Sequence, residues 1–449
     1  MAVVGGGLAG CEAASVLSKN GASVTLFEMK PVRFSAAHKN PDLGELVCSN
    51  SLKSARADRP QGVLKDEMRL LGSLVVDAAE RSALPGGEAL VVDRAKFAAA
   101  LTKSIEAFEG LEVVRYEVTD LREMLDGFDF VVLATGPLTS DALAANLAGL
   151  TGEAGLHFYD AISPIVSAAS VDFSRAFRAS RHGRGGDDYV NCPLSEDEYH
   201  ALRLAILDAV KVEPRPFEEA RYFEACLPIE IIAARGEMAL AYGPLSPAGL
   251  RDPVTGRRPF CVLQLRLENA EGSAFSLVAF QTRMTQGEQQ RALKMVPALR
   301  NAEILRYGSI HRNTFVDAPA QLSADLSLRK EPRLFLAGVL TGVEGYCESA
   351  ASGILAGLFA AARIRGVAIP QPPPTACLGA LHRHVKGDLV PGRKKRPYQP
   401  MNMNRGLFPE FQERVPKAKA PEVLHQRALG DMKEWIESLR GAGLLLPIR

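Results

Sequence analysis

A short apolar run, Val3-Val4, passes directly into Gly5-Gly6-Gly7-Leu8-Ala9-Gly10, and a second apolar run, Ser23-Val24-Thr25-Leu26-Phe27, ends in Glu28. Residues 2–28 therefore predict strand, helix, strand. Residues 29–60 carry Pro31, Pro41 and Pro60 with little periodicity, which predicts a long loop over the first unit; loops of that length are usually functional. A helical pattern covers 62–80. Leu90–Arg94 predicts a short strand, Arg94–Phe108 an amphipathic helix, Val113–Val118 a strand, and Phe128–Gly136 a buried strand. From about 151 to 310 aromatic and β-branched runs alternate with Pro-rich turns. Within that stretch Ser195 and Glu198 form a capping box that opens a helix, and Cys261–Leu267 and Phe275–Phe280 predict antiparallel strands. The α/β pattern returns at Leu334–Gly338 and continues through Gly342, Gly345 and Gly353 into an Ala-rich helix ending near Arg365. A Pro-rich stretch follows, then a helix over 421–440.

Composition narrows the class. The chain has 449 residues, 47% hydrophobic and 23% charged, an ordinary globular balance with room for two or three domains. No apolar run in the sequence is as long as a membrane span, so no membrane is expected. No basic region precedes the first apolar run, which reads against a signal peptide and for a cytoplasmic location. A net charge of +1 means that any nucleic-acid partner is held by local patches. Three stretches qualify: Arg175–Arg184, Arg251–Arg258 and Arg393–Arg396. Taken singly, each reads first as a solvated loop. The seven cysteines, at 11, 48, 192, 226, 261, 347 and 377, contain no CxxC pair. That argues against a zinc site, a dithiol flavin reductase and a disulfide framework; no metal is expected.

The glycine run carries the first chemistry. Gly5 makes the tight turn, Gly7 lets backbone approach a pyrophosphate, and Gly10 lets helix pack on strand; Gly6, Leu8 and Ala9 complete the turn. The helix amino terminus then faces the phosphates with free N–H groups and its positive dipole end. Glu28, 18 residues after Gly10, suits a ribose diol. Two distant segments favour FAD over NAD: the strand end Ala134-Thr135-Gly136, and Leu336-Ala337-Gly338-Val339 followed by Gly342-Val343-Glu344-Gly345-Tyr346 and a helix. In a doubly wound sheet both converge on the carboxyl ends of strands beside the fingerprint. No second GxGxxG with its own acid follows, so NADPH or NADH would bind transiently. The expected fold is α/β, a doubly wound Rossmann-type FAD-binding domain (1–150 and 311–366) interrupted by an inserted α+β substrate or RNA domain (151–310), with a C-terminal extension (367–449).

Further segments form an ordered set: Val47-Cys48-Ser49-Asn50-Ser51-Leu52, Ala134–Ser140, Tyr159–Ile165, Tyr189–Pro193, Phe223-Glu224-Ala225-Cys226-Leu227-Pro228, Arg306-Tyr307-Gly308 with His311–Thr314, and Gly342–Tyr346. In order and spacing the chain resembles the bacterial folate- and FAD-dependent tRNA (uracil-5-)-methyltransferases from residue 2 to about 365, and again at Gln399–Asn404 with Gly406-Leu407. The resemblance implies that 5,10-methylenetetrahydrofolate supplies a one-carbon unit, reduced FAD supplies electrons, NADPH or NADH regenerates the flavin, and C5 of the T-loop uridine (uridine 54) of tRNA becomes methylated to ribothymidine. It implies two catalytic thiols: Cys226 as the nucleophile that attacks the base, and Cys48 as a second thiol or general base, a division of roles that sequence leaves open. Cofactor contacts fall on Gly5–Gly10, Glu28, Ala134, Thr135, Gly136, Gly338, Gly342, Val343, Glu344 and Gly345.

The thiol chemistry has an independent rationale. Carbon 5 of uracil is a poor nucleophile until a thiolate adds at C6 and makes the ring an enolate. A free thiol ionises near pH 8.5, so a cationic or helix-terminal neighbour is needed at pH 7. Cys192 and Cys347 read as packing, as do Cys11, Cys261 and Cys377. Arg312 suits a folate glutamate tail, a phosphate or a salt bridge; Asn191 and Glu344 suit the pterin or flavin edge. The alternatives are a paralogue acting on ribosomal RNA, the longer flavoprotein that modifies wobble uridine of tRNA, a non-catalytic flavin-containing RNA-binding factor, and a generic oxidase without an RNA site.

Overall fold

Ala2–Val4 and Val24–Glu28 become adjacent parallel strands. Their Ala2, Val3, Val4 and Leu26 side chains are buried, as a sheet covered on both faces requires. The computed structural model describes residues 1–152, 156–212, 227–388 and 398–444. Across the main sheet the strands run Ser327–Leu328, Glu331–Leu336, Val131–Leu133, Ala2–Val4, Val24–Glu28 and Leu111–Arg115. All pairings are parallel except the one with the edge strand Ser327–Leu328. Val4 lies opposite Leu133, and Leu133 opposite Leu336. Gly5, Ala134 and Ala337 thus leave three neighbouring strands at one edge of the sheet.

The first helix, Leu8–Lys19, crosses the long helix Tyr346–Arg365 closely. A Cβ on Gly353 would meet the carbonyl oxygen of Ala9 at 2.2 Å, so glycine is what permits the approach. The long helix has the length and hydropathy of a membrane span, but 89% of its apolar window is buried inside the protein. It is the central helix of the core.

The inserted residues build a second sheet. Its strands run Phe177–Arg178, Tyr189–Leu194, Cys261–Leu267, Ala274–Leu277, Ile165–Ser167 and Ile304–Arg306, all antiparallel. The helix Glu196–Asp208 has the expected capping box, with Ser195 and Glu198 both engaged. A two-stranded ribbon, Leu156–Ala161 with Ile310–Phe315, carries the chain into and out of this unit. The C-terminal residues pack on the main core: Leu424, Met432 and Trp435 share one apolar cluster with the first strand and the long helix.

Several elements differ from the sequence pattern. The helix expected over 62–80 is two, Pro60–Leu70 and Leu74–Arg81. Gly72 turns left-handed (φ 68), and Ser73 Oγ accepts the Val76 N–H at 3.1 Å to start the second. The expected loop 29–60 contains a strand, Ser51–Ser54, formed by pairing with Ala89–Val92. Helices Asp141–Thr151 and Cys377–Val385 had no clear signal. His311 and Arg312 lie within the strand Ile310–Phe315, which follows the short strand Ile304–Arg306.

Two of these helix starts depend on buried carboxylates. Glu12 accepts the N–H groups of Leu74 and Val75 and the hydroxyl of Ser73. Glu67 accepts those of Cys377 and Leu378 at 2.7 and 2.8 Å. Burial pushes Glu12 up to about 7 and Glu67 up to about 8, against the pull of these hydrogen bonds. A raised carboxyl favours the protonated fold, so its contribution is full below the unfolded value and is lost as pH rises through the folded one. Thermal stability is expected to fall between about pH 4.5 and pH 8. Replacing Glu12 and Glu67 together by glutamine should flatten that slope, and melting curves at the two ends of the window check it.

Candidate dinucleotide cleft and thiol site

The carboxyl ends of the three central strands open into a cleft of about 1340 Å³, mouth included. Gly5, Gly6, Gly7, Leu8 and Ala9 form one wall. Gly5 has φ 104, and a Cβ there would meet the Ala134 carbonyl oxygen at 2.6 Å; only glycine makes this turn. A Cβ on Gly10 would lie 1.8 Å from the Gly5 oxygen, so Gly10 lets the helix sit on the turn without lining the cleft. A Cβ built on Gly7 would meet no atom within 4 Å, which leaves the room that a phosphate needs.

Two helices begin at this cleft without a side-chain cap: Leu8–Lys19 after Gly7, and Tyr346–Arg365 after Gly345. The free N–H groups and positive ends of both helices are thus available to an anionic or electron-rich ligand. Glu28 is oriented by two backbone donors, Gly6 N–H to Oε2 at 3.0 Å and Lys30 N–H to Oε1 at 2.9 Å. Each oxygen keeps a lone pair for a ribose hydroxyl. The donor set therefore fits a dinucleotide.

The long loop folds down over the fingerprint. Gly44 donates its N–H to the Gly6 carbonyl at 2.9 Å. Lys30 Nζ, buried, donates to the carbonyls of Asn40 and Asp42 at 3.1 and 2.7 Å and pairs with Glu45 at 3.4 Å. This brings Val47 and Cys48 to the cleft wall, with Cys48 beside Tyr346; Gly338, Glu344 and Gly345 line the same cleft. Ala134, Thr135 and Gly136 line the same space, with Asp160 and Asn313. The Glu344 carboxyl is pushed up to about 7 by burial, against the pull of Lys53, with Asp160 and Glu348 adding to the rise.

Gly342 and Val343 lie one layer behind. Gly342 packs under Tyr398 and accepts the Met401 N–H, while Glu344 N–H donates to the Met401 carbonyl. Residues near 401 thereby brace the glycine-rich turn. Asn191 is not at the cleft. It is fully buried in the inserted sheet, donating to the carbonyls of Phe177 and Ala179 and accepting from Gln264. Sequence context alone does not reveal that its amide is consumed by neighbouring strands.

Six cysteines fall among the described residues, and Cys48 is the one that is not buried. Burial pushes the thiols of Cys192 and Cys261 up to about 12, and raises those of Cys11, Cys347 and Cys377. Such thiols are inert packing groups. Cys226 and the basic run Arg393–Arg396 lie outside the described residues, and so does the side chain of Arg312. Of the other basic stretches, Arg175 pairs with Asp172, Arg184 with Glu88, and Arg181 donates to Gln264 and to the carbonyls of Ser246 and Ala248.

Two arginines that bond the Cys48 loop, Arg94 to the Cys48 carbonyl and Arg266 to Ser49 and Asn50, escaped sequence reading. Arg94 looked like the end of a strand, and Arg266 like a charge within an apolar run. The available signal was a lone arginine in the otherwise buried strand Cys261–Leu267.

Comparison with known proteins follows this geometry. The family GIDA, described as glucose inhibited division protein A, matches residues 1–368. A protein of Oleidesulfovibrio alaskensis named methylenetetrahydrofolate–tRNA-(uracil-5-)-methyltransferase TrmFO is 50% identical over 435 residues, covering 97% of this chain and 96% of its own. One of the same name from Anaeromyxobacter dehalogenans is 52% identical over 439 residues, covering 97% and 96%. The crystal structure of Aquifex aeolicus GidA superposes with a TM-score of 0.71 at 17% identity, covering 99% of this chain and 74% of that one, which shows the shared fold. With a family match over most of its length and near-half identity over almost all of it, the chain belongs to the GIDA family and, within it, to the methylenetetrahydrofolate–tRNA-(uracil-5-)-methyltransferase enzymes.

Proposed function

We propose that this protein transfers a one-carbon unit from 5,10-methylenetetrahydrofolate to C5 of uridine 54 in the T-loop of tRNA and reduces it to a methyl group, in the cytoplasm. The observation that carries the reading is Cys48: among the described residues it is the one cysteine left accessible, and it stands on the wall of a dinucleotide cleft. In a family that methylates uracil, an accessible thiol at that place has a chemical use.

FAD is the dinucleotide that fits the proposal, held by the Gly5–Gly10 turn, Glu28, Ala134–Gly136, Gly338 and the Glu344-Gly345 turn. When bound and reduced by NADPH or NADH, it supplies the two electrons that take a methylene-level carbon to methyl. The chain's own residues do the rest. The Cys226 thiolate adds to C6 of the base, which turns C5 into a nucleophile for the one-carbon unit. Cys48 accepts the proton that leaves C5. The electron pair released at C5 expels the carrier nitrogen from the one-carbon unit and leaves an exocyclic methylene; a hydride delivered to that methylene makes it methyl and expels the Cys226 thiolate from C6, which restores the ring and frees the thiol. Glu344, with its raised carboxyl, is placed to donate or accept a hydrogen bond at the edge of a bound ring.

The test is a methylation assay with the purified yellow protein, a tRNA transcript, NADPH and methylenetetrahydrofolate labelled in its one-carbon unit. Label is expected in ribothymidine and is expected to vanish when uridine 54 is replaced by cytidine. Label in ribosomal RNA but not in tRNA would move the protein to the paralogous reaction. No label in either RNA, with FAD bound, would overturn the proposal.

A further inference from the structure

The loop that presents Cys48 has no regular secondary structure from Asp42 to Asn50, yet every residue from Leu46 to Asn50 is tied. The ties come from separate parts of the fold. Arg94 donates to the carbonyls of Leu46 and Cys48 and is itself fixed by Glu268 of the inserted domain at 2.6 Å. Arg306 donates to the Val47 carbonyl at 2.8 Å. Arg266 donates to Ser49 Oγ at 2.9 Å and to Asn50 Oδ1 at 2.8 Å. Asn50 Nδ2 donates in turn to the carbonyls of Val92 and Leu267.

One tie differs from these. Tyr346 is the first residue of the long core helix and lines the cleft beside Cys48. Its Oη accepts the N–H of Cys48 at 2.9 Å and the N–H of Ser49 at 3.1 Å. The arginines hold carbonyls and side chains and come from the insert or the neighbouring helix. The phenol holds the two amides that flank the thiol-bearing Cα, and it comes from the helix whose amino terminus opens the cleft. An unrestrained loop residue keeps its full backbone freedom. Two hydrogen bonds to one fixed atom remove it at the residue that matters for the thiol.

We propose that Tyr346 is the positioning residue of Cys48: its phenol oxygen fixes the thiol's place on the cleft wall and makes that place a property of the cofactor-facing helix. The inference rests on the reading of Cys48 as the second thiol. Tyr346 does no proton transfer in this scheme; it acts through the two backbone amides. The arginines supply the outward restraint, so that the loop is clamped from both sides.

Tyr346→Phe keeps the ring and removes the acceptor. In the FAD-loaded enzyme, kcat for methylation is expected to fall on the order of 10²-fold, the loss that a misplacement of ~1 Å brings, with KM for tRNA held within about twofold. Alkylation of Cys48 by iodoacetamide, followed by peptide mass spectrometry, is expected to rise about fivefold or more as the loop opens locally. A packing role for the phenol would leave that rate unmoved. An alkylation rate within about twofold of the parent, in a variant that retains FAD, would overturn the proposal. Should the variant lose FAD, amide hydrogen exchange in the parent holoenzyme decides. The N–H groups of Cys48 and Ser49 are expected to be protected, and free exchange at both would overturn it. Neither readout depends on the methylation assay. A parent protein that protects these amides yet labels no RNA would remove the function reading and leave the positioning claim standing.

Discussion

Cys226→Ala protein is expected to bind FAD as the parent does and to transfer no measurable label to tRNA. Loss of a residue that forms the covalent bond in a catalytic unit costs on the order of 10⁴-fold or more in kcat. The cofactor contacts proposed above lie on the Gly5–Gly10 turn, the strand ends and the turn before the Tyr346 helix, and FAD binding is expected to rest on these. Cys48→Ala should behave differently. A general base contributes about 10²–10⁴-fold, so residual turnover is expected. Without a proton acceptor at C5, the bond between Cys226 and C6 should persist, giving a protein–tRNA adduct that survives a denaturing gel. The Cys226→Ala protein cannot form that adduct. Full turnover by Cys226→Ala would sink the assignment of the nucleophile, and an adduct formed by it would reverse the roles of the two thiols. Ultraviolet–visible spectra of the flavin, radiolabel in RNA and gel mobility separate the outcomes.

The second large effect is expected at the fingerprint. Gly10→Ala places a methyl group where the Gly5 carbonyl oxygen stands, 1.8 Å away, and both are backbone positions that no rotamer can relieve. The turn must open or the first helix must slide away from the strand. Overpacking of this kind costs about 1–3 kcal/mol. The variant is expected to purify colourless and to melt several degrees lower. Gly7→Ala is the informative contrast. No protein atom lies within 4 Å of a Cβ there, so the apoprotein should melt as the parent does. The methyl group then occupies space that the pyrophosphate needs, and FAD affinity is expected to fall at least about tenfold, or 1.4 kcal/mol. Calorimetry of the apoproteins and titration with FAD measure the two quantities. Equal FAD affinity in Gly7→Ala and the parent would place the phosphates elsewhere.

The fingerprint and its strand–helix–strand setting were legible in the residue order because its defining contacts, Gly10 against Gly5 and Gly6 against Glu28, fall within one βαβ unit. Gly5, Gly10 and Glu28 lie within one βαβ unit, and the glycine spacing is itself the geometric constraint. The capping box at Ser195 and Glu198 was legible for the same reason, since both of its bonds span three residues. The strand ends at Ala134 and Gly338 could be expected beside Gly5 once a doubly wound sheet was assumed, because that topology aligns carboxyl ends. Likeness to a methyltransferase family also came from the ordered motifs alone.

Other features needed the folded chain. The helix Cys377–Val385 starts on a carboxylate 310 residues away, Glu67, and no local pattern encodes such a cap. Asn191 stood in a matching motif, but cross-strand partners consume its amide. Val343 sits in the glycine-rich turn that the pattern marked, yet it faces Met401 because that turn pairs with residues from the C-terminal segment. The same limit holds for the thiols. Motif context marks Cys48 and Cys226 in the sequence, but accessibility among the described thiols is set by burial. Burial raises five of the six described and leaves Cys48 on the cleft wall. The clamp on Cys48 joins residues 298 positions apart. Local order in the chain encodes elements, turns and nucleotide-binding glycines, since these depend on backbone conformation over a few residues. Which side chain is accessible, which amide is already bonded and which thiol is held in place depend on burial and on contacts across the fold, and those exist only once the chain has packed.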